Sequence, residues 1–199
     1  MGGRLRKIIP ATIAIAAAVF SLTCTDASES VFGPPDETAE AGKLVSEANT
    51  DLTKIKVLYK ENEGKREELK NALETNNVGE VKRISSEVVQ LINEGRNSGF
   101  AAIDKLRDAQ DMQINKDYKE YLGLKEESLK KQLEAFEQYR QAAMTLRDNY
   151  DPQNAELRDK VKADFDERTE KYREIMEKAR DNSSQANELY KETVRRDRS

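Results

Sequence analysis

Apolar residues recur at alternating steps of three and four along most of this chain, the spacing that places them on one face of an α-helix. From Asp36 to about Glu74 the stripe runs Leu44, Ala48, Leu52, Ile55, Leu58, Leu69 and Leu73, with Asp36 placed as N-cap and Glu37 and Glu40 in the first turn. It lapses over Glu61-Asn62-Glu63-Gly64-Lys65-Arg66, where the helix is expected to project or its packing to loosen. A second helix opens at Asn77, whose partner three residues on, Glu80, makes a capping-box pattern. Its stripe is Val81, Ile84, Val88, Leu91, Gly95, Gly99, Ala102, Leu106 and Ala109. Around Asn115 the phase slips by about one residue, which predicts a turn, and a third stripe follows: Tyr118, Leu122, Leu129, Leu133, Phe136, Tyr139, Ala143 and Leu146. Asp151-Pro152 reads as an N-cap with proline at the first helical position. The fourth stripe carries Leu157, Val161, Phe165, Tyr172, Ile175, Ala179, Ala186 and Leu189.

Four helices of similar length, each ~50 to 70 Å at 1.5 Å per residue, joined by short connections, predict an all-α, elongated, antiparallel bundle with coiled-coil-like packing. A competing division breaks the chain at Gly95-Arg96-Asn97-Ser98-Gly99 and runs one helix through Asn115 to Asn149. The stripe keeps its phase across those glycines, which favours the first division. Gly95 and Gly99, one turn apart on the apolar face, form a small-xxx-small pattern that lets a neighbouring helix come close; a hinge or ligand notch is the functional alternative. Arg168 and Asn182 fall on or beside the fourth stripe, where polar groups need partners and usually set register, a binding site being the sharper reading.

Before the first helix the character changes. Arg4, Arg6 and Lys7 precede an apolar run from Ile8 to Phe20, too short for the ~20 residues that span a bilayer, and the segment reads as a secretion signal. It ends in Ser21-Leu22-Thr23-Cys24, which resembles the lipobox of bacterial lipoprotein precursors; here Leu stands two places before the cysteine and Thr adjoins it. The resemblance covers residues 1–24 and implies that Cys24 is lipidated. The alternative is an ordinary signal peptide cut after Thr23 or Ala27. Cys24 is the chain's single cysteine, and an acyl group on its thiol accounts for an unpaired cysteine in an exported protein. The expected organisation is therefore signal peptide 1–23, lipidated cysteine and flexible tether 24–35 ending Gly33-Pro34-Pro35, and helical bundle 36–199.

Composition then narrows the chemistry. Charged residues make up 36% of the chain and tryptophan is absent, a balance that suits long solvated helices. All 38 acidic residues lie beyond the leader, whereas three of the 34 basic ones lie within it, which leaves the remainder at −7. Such a surface disfavours nucleic acid. The chain has no histidine, which removes ExxH di-metal sites, imidazole zinc and haem ligation, and histidine general bases. Carboxylate runs such as Glu126-Glu127 read as a solvated face. No catalytic residue, cofactor or metal site is expected. Of the tyrosines that gather in the second half, Tyr121 lies off the stripe and is the candidate partner contact.

The expected function is a non-catalytic cell-envelope lipoprotein, exported and lipid-anchored at the periplasmic face or cell surface. Its bundle would serve as a scaffold or interaction module for another envelope protein. The alternative is a soluble exported bundle that binds a small ligand or acts as a holdase. A closed dry core favours the first, and a cavity of several hundred Å³ or a wide apolar patch the second. A monomer and a homo-oligomer built from long hairpins would share these stripes.

Overall fold

The computed structural model describes residues 37–197. Asp36 and Cys24, with the leader and tether, lie outside them. The described chain is four long helices: α1 (Thr38–Glu74), α2 (Val78–Asp111), α3 (Lys116–Asn149) and α4 (Ala155–Asp197). They form an all-α bundle in which α1 packs on α2, α2 on α3 and α3 on α4.

The helix boundaries follow local chemistry. Asn77 caps α2 by accepting a hydrogen bond from the Glu80 amide at 3.2 Å, but the Glu80 carboxylate turns to Arg83, so only half of the capping box forms. Asn115 caps α3 through the Tyr118 amide at 2.8 Å. The α2–α3 break therefore falls at residues 112–115, and α2 passes unbroken through Gly95 and Gly99. The start of α4 differs from the sequence expectation. Asp151 accepts from the Gln153 amide within a turn, and Asn154 is the residue that caps the helix, accepting from the Leu157 amide at 3.0 Å. Proline at 152 fits the turn as well as it fits a first helical position, and the second capping side chain two residues later decides the boundary.

The connections also fix which ends meet. Glu37 joins the α2–α3 turn twice: its amide donates to the Gln113 carbonyl and its carboxylate accepts from the Gln113 amide at 2.6 Å. At the other end the Tyr150 hydroxyl donates to Asn76 Oδ1 at 2.9 Å, tying the α3–α4 connection to the α1–α2 turn. The chain thus enters the bundle beside the α2–α3 turn, and the other two connections form the far end, ~55 Å away along α1.

Packing is uneven around the bundle. The α3–α4 pair is close, with Ala135, Ala142, Ala179 and Ala186 fully buried and the Ser128 hydroxyl donating to the Ala179 carbonyl at 2.7 Å. Between α2 and α3 larger residues meet, including Ile103, Leu106, Leu122, Leu129 and Leu133. Helices α1 and α4 bring no Cα atoms within 8 Å of one another among the described residues, and they meet through long side chains, Arg66 against the Tyr172 ring and Lys162, whose Nζ donates to the Leu73 carbonyl at 3.5 Å.

Candidate functional site

The interrupted stretch of α1 lies at the middle of this wide α1–α4 side. Ala41, Ala48, Ile55, Asn62 and Leu69 follow a strict seven-residue step and all are buried, so Asn62 occupies an inward position and the helix runs through the lapse without a break. Its Oδ1 has no hydrogen-bond partner. Beside it lies a cavity of about 20 Å³, the scale of a single water molecule, lined by Leu58, Tyr59, Leu91, Gly95 and Phe136 among others.

One turn further on, Arg66 reaches across to α3 and α4. Its guanidinium carbon is 5.3 Å from the centre of the Tyr139 ring and 5.9 Å from that of Tyr172. Those rings lie 5.7 Å apart, Phe165 is 6.0 Å from Tyr139, and Tyr59 is 6.3 Å from Phe136. The π-faces hold the cation where no carboxylate does. Burial pushes the Tyr139 phenol up to about 12, and burial with the neighbouring Tyr59 pushes Tyr172 well above the usual range. Both hydroxyls stay protonated at neutral pH, so this cluster offers hydrogen-bond donors and apolar faces but no phenolate nucleophile.

The two glycines named from sequence behave differently. A Cβ placed on Gly99 would lie 2.5 Å from Leu133 Cδ2, so the leucine occupies the hole that glycine leaves and Gly99 is a packing residue. At Gly95 the nearest such contact is Leu58 Cδ1 at 3.9 Å, ordinary van der Waals distance, and this glycine borders the small cavity. Arg168 is half-buried at the α3–α4 rim. Its Nε donates to both Asp164 oxygens at 3.0 Å and its Nη1 to Gln141 Oε1 at 2.6 Å. Gln141 in turn donates to Glu137, which is paired with Arg96 of α2 and Arg140 of α3, so a polar belt links three helices across the outside of α3. Asn182 is half-buried on α4. Tyr121 is also half-buried, stacked on Tyr118 at 6.3 Å and tilted against Tyr190 of α4 at 6.1 Å, with Lys125 Nζ 5.5 Å from its ring centre. Its ring helps to close the α3–α4 interface. Burial lowers Lys125 to about 8, and its Nζ donates to Asn187 Oδ1 at 3.1 Å.

Two acids lie inside, one of them Glu126, which the sequence suggested lay on a solvated face. Glu126 is only 7% exposed and accepts from Arg107 at 2.6 Å, Gln110 at 2.9 Å and Lys130 at 2.9 Å. Burial alone would raise its carboxyl, but the hydrogen bonds from Lys130, Gln110 and Arg107 outweigh it and hold the group below the usual carboxylate range. Asp51, also buried, accepts from Lys105 at 2.7 Å and Lys54 at 2.8 Å, and the hydrogen bond from Lys105 is the main cause of its lowered pKa. The sequence carried a signal for both: Glu126 stands four residues after Leu122 and three before Leu129, and Asp51 three after Ala48 and four before Ile55.

Among the described residues no group of three or more His, Cys, Asp or Glu could hold a metal ion, and no helix is long and apolar enough to cross a membrane. Comparison with known proteins finds no match: no family model, no curated protein and no solved structure is similar to this chain.

Proposed function

We propose that this protein is a non-catalytic cell-envelope lipoprotein whose bundle is a scaffold or protein-interaction module held to a membrane through Cys24. The observation that supports a scaffold over a small-ligand binder is that, among the described residues, the cavity beside Asn62 has room for about one water, whereas a ligand site needs several hundred Å³. The surface argues against a holdase. Among the described residues the large apolar side chains that stand exposed are Val57 on α1 and Phe100 on α2, far short of a client-binding face. Around them the helices carry ion pairs at i,i+3 and i,i+4 spacing, such as Arg83 with Glu80 and Glu87, as solvated faces do.

The entry point gives the module a direction. Twelve residues separate Cys24 from Glu37, a reach of at most ~40 Å, and they join the bundle beside the α2–α3 turn. A tether there leaves the Asn76–Tyr150 end as the membrane-distal tip. The test is to express the whole precursor and its Cys24→Ala variant in a lipoprotein-competent bacterium and to measure intact mass and detergent partitioning. The reading expects an acyl mass and detergent entry for the native chain alone. Two identical unmodified soluble species would refute it and favour the free exported bundle.

A further inference from the structure

We infer that the seat of α1 is a self-association surface, on which α1 is exchanged between two copies of this chain. Helix α1 packs closely only on α2, and towards α4 it relies on side chains such as Arg66. Five of its seven buried positions are small or polar, Ala41, Ala48, Asp51, Asn62 and Ala72, against only Ile55 and Leu69 as large apolar anchors, and Asn62 has an unpaired Oδ1 with a gap beside it. An element with small or imperfectly satisfied contacts is the one that leaves a bundle at least cost.

Charge determines what can take its place. The seat on α2 presents Lys105 to Asp51 at 2.7 Å and Glu87 to Lys65 at 2.8 Å, two pairs of opposite polarity about four turns apart on α1 and five on α2. An occupant must carry an acid, then a base, at matching heights on a face with small residues. The α1 of a second copy has that pattern.

The connection permits the exchange. Only Thr75, Asn76 and Asn77 separate α1 from α2, and Asn76 is held at φ 53°, the one positive φ at a non-glycine among the described residues. Residues 38–111 contain no proline, so straightening the turn lets α1 and α2 run as one helix of ~110 Å and returns Asn76 to the right-handed region. A short turn that closes a hairpin in the monomer then becomes the hinge of a two-fold exchanged dimer. The inference rests on the seat of α1 and is independent of any membrane anchor.

The test refolds light and ¹⁵N-labelled chains together at high concentration and reads native mass spectra. It then repeats the mixing with two charge variants, Asp51→Lys in one chain and Lys105→Asp in the other. Each variant alone sets like charges against each other at positions 51 and 105, whereas an exchanged heterodimer pairs opposite charges at both seats. The expected result is a mixed light–heavy dimer of the native chain, and a variant heterodimer enriched roughly tenfold or more over either homodimer. No mixed dimer of the native chain overturns the inference. So does a native dimer whose charge variants show no preference for each other, because that dimer would use another surface.

Discussion

Two glycines one turn apart on the same helix should respond to the same substitution with opposite signs. At Gly95 an added methyl meets Leu58 Cδ1 at 3.9 Å, an ordinary contact, so Gly95→Ala gains the helical preference of alanine, ~1 kcal/mol, without a steric cost. At Gly99 the methyl would lie 2.5 Å from Leu133 Cδ2 and 3.2 Å from its Cγ. Because the Cγ is crowded as well as the tip, turning the leucine about its outer bond does not clear the clash, and either its whole rotamer or the α2–α3 spacing must change. Overpacking of this kind costs about 1–3 kcal/mol, which cancels or exceeds the propensity gain.

The assay is thermal unfolding of the two single variants beside the native chain. For a domain of this size ~1 kcal/mol moves Tm by roughly 2–4 °C, so Gly95→Ala should rise by about that amount and Gly99→Ala should stay level or fall by up to about twice as much. A mutant cycle then isolates the contact. Leu133→Ala opens the hole, and in that background Gly99→Ala should become stabilising, with a coupling of ~1–3 kcal/mol between the two sites. If both glycine variants move Tm in the same direction by the same amount, Gly99 is not a close-packing position and Leu133 does not fill the space beside it.

Further outcomes follow from the buried polar groups. Asn62→Leu removes an unpaired carbonyl oxygen and fills space beside a small cavity, so it should raise stability by about 1–3 kcal/mol in urea unfolding; a loss would show that Asn62 is satisfied in solution. Glu126→Gln weakens the charge-assisted bonds from Arg107 and Lys130 and should cost ~1–3 kcal/mol at pH 7, a result contradicted by a native denaturation midpoint. Because the folded-state pKa values of Asp51 and Glu126 are depressed, their stabilisation is present above the unfolded carboxylate range and is lost as pH falls through it; Asp51→Asn should flatten the acid limb of a Tm-against-pH curve. Lys125 works with the same slope in a higher pH range. Its folded pKa of about 8 lies below the ordinary lysine value, so unfolding takes up a proton and stability should rise as pH climbs past 8, a rise that Lys125→Met should abolish.

The stripes of α2 and α3 were the most legible, since Val81, Ile84, Val88 and Leu106 on α2, and Leu122, Leu129, Leu133 and Leu146 on α3, are all inside, whereas Leu44, Leu52 and Leu58 on α1 and Leu157, Phe165 and Ile175 on α4 are only half-buried. The rival division at Gly95 failed for the reason the phase suggested. Boundaries set by competing caps were less legible, since Asp151 and Asn154 are both good capping residues and only the hydrogen-bond geometry separates them. The aromatic cluster around Arg66 was hidden more deeply. It draws on three helices that are distant in sequence, and nothing local to Arg66 distinguishes it from the solvated cations beside it. Tyr121 lies off a stripe drawn for one contact face, but α3 packs against both α2 and α4, and its ring also meets Tyr190 of α4.

Polar residues in and around the helix interfaces are of two kinds, separated by whether they fix the register of one helix on another. Arg96 and Arg107 are eleven residues apart on α2, and the carboxylates they pair with, Glu137 and Glu126, are eleven apart on α3 in the opposite chain direction. Eleven residues make about three helical turns, so the two arginines share a face, the two glutamates share a face, and one antiparallel register satisfies both pairs together. Slipping the hairpin by a turn would break both and leave Glu126 buried without its guanidinium, a penalty that apolar packing alone would not impose. These acids therefore specify which α2 residue stands opposite which α3 residue, a choice that a run of leucines leaves nearly degenerate. Asn62 has no such partner. It adds little to register, and its cost falls on α1, which like α4 packs closely on a single neighbour.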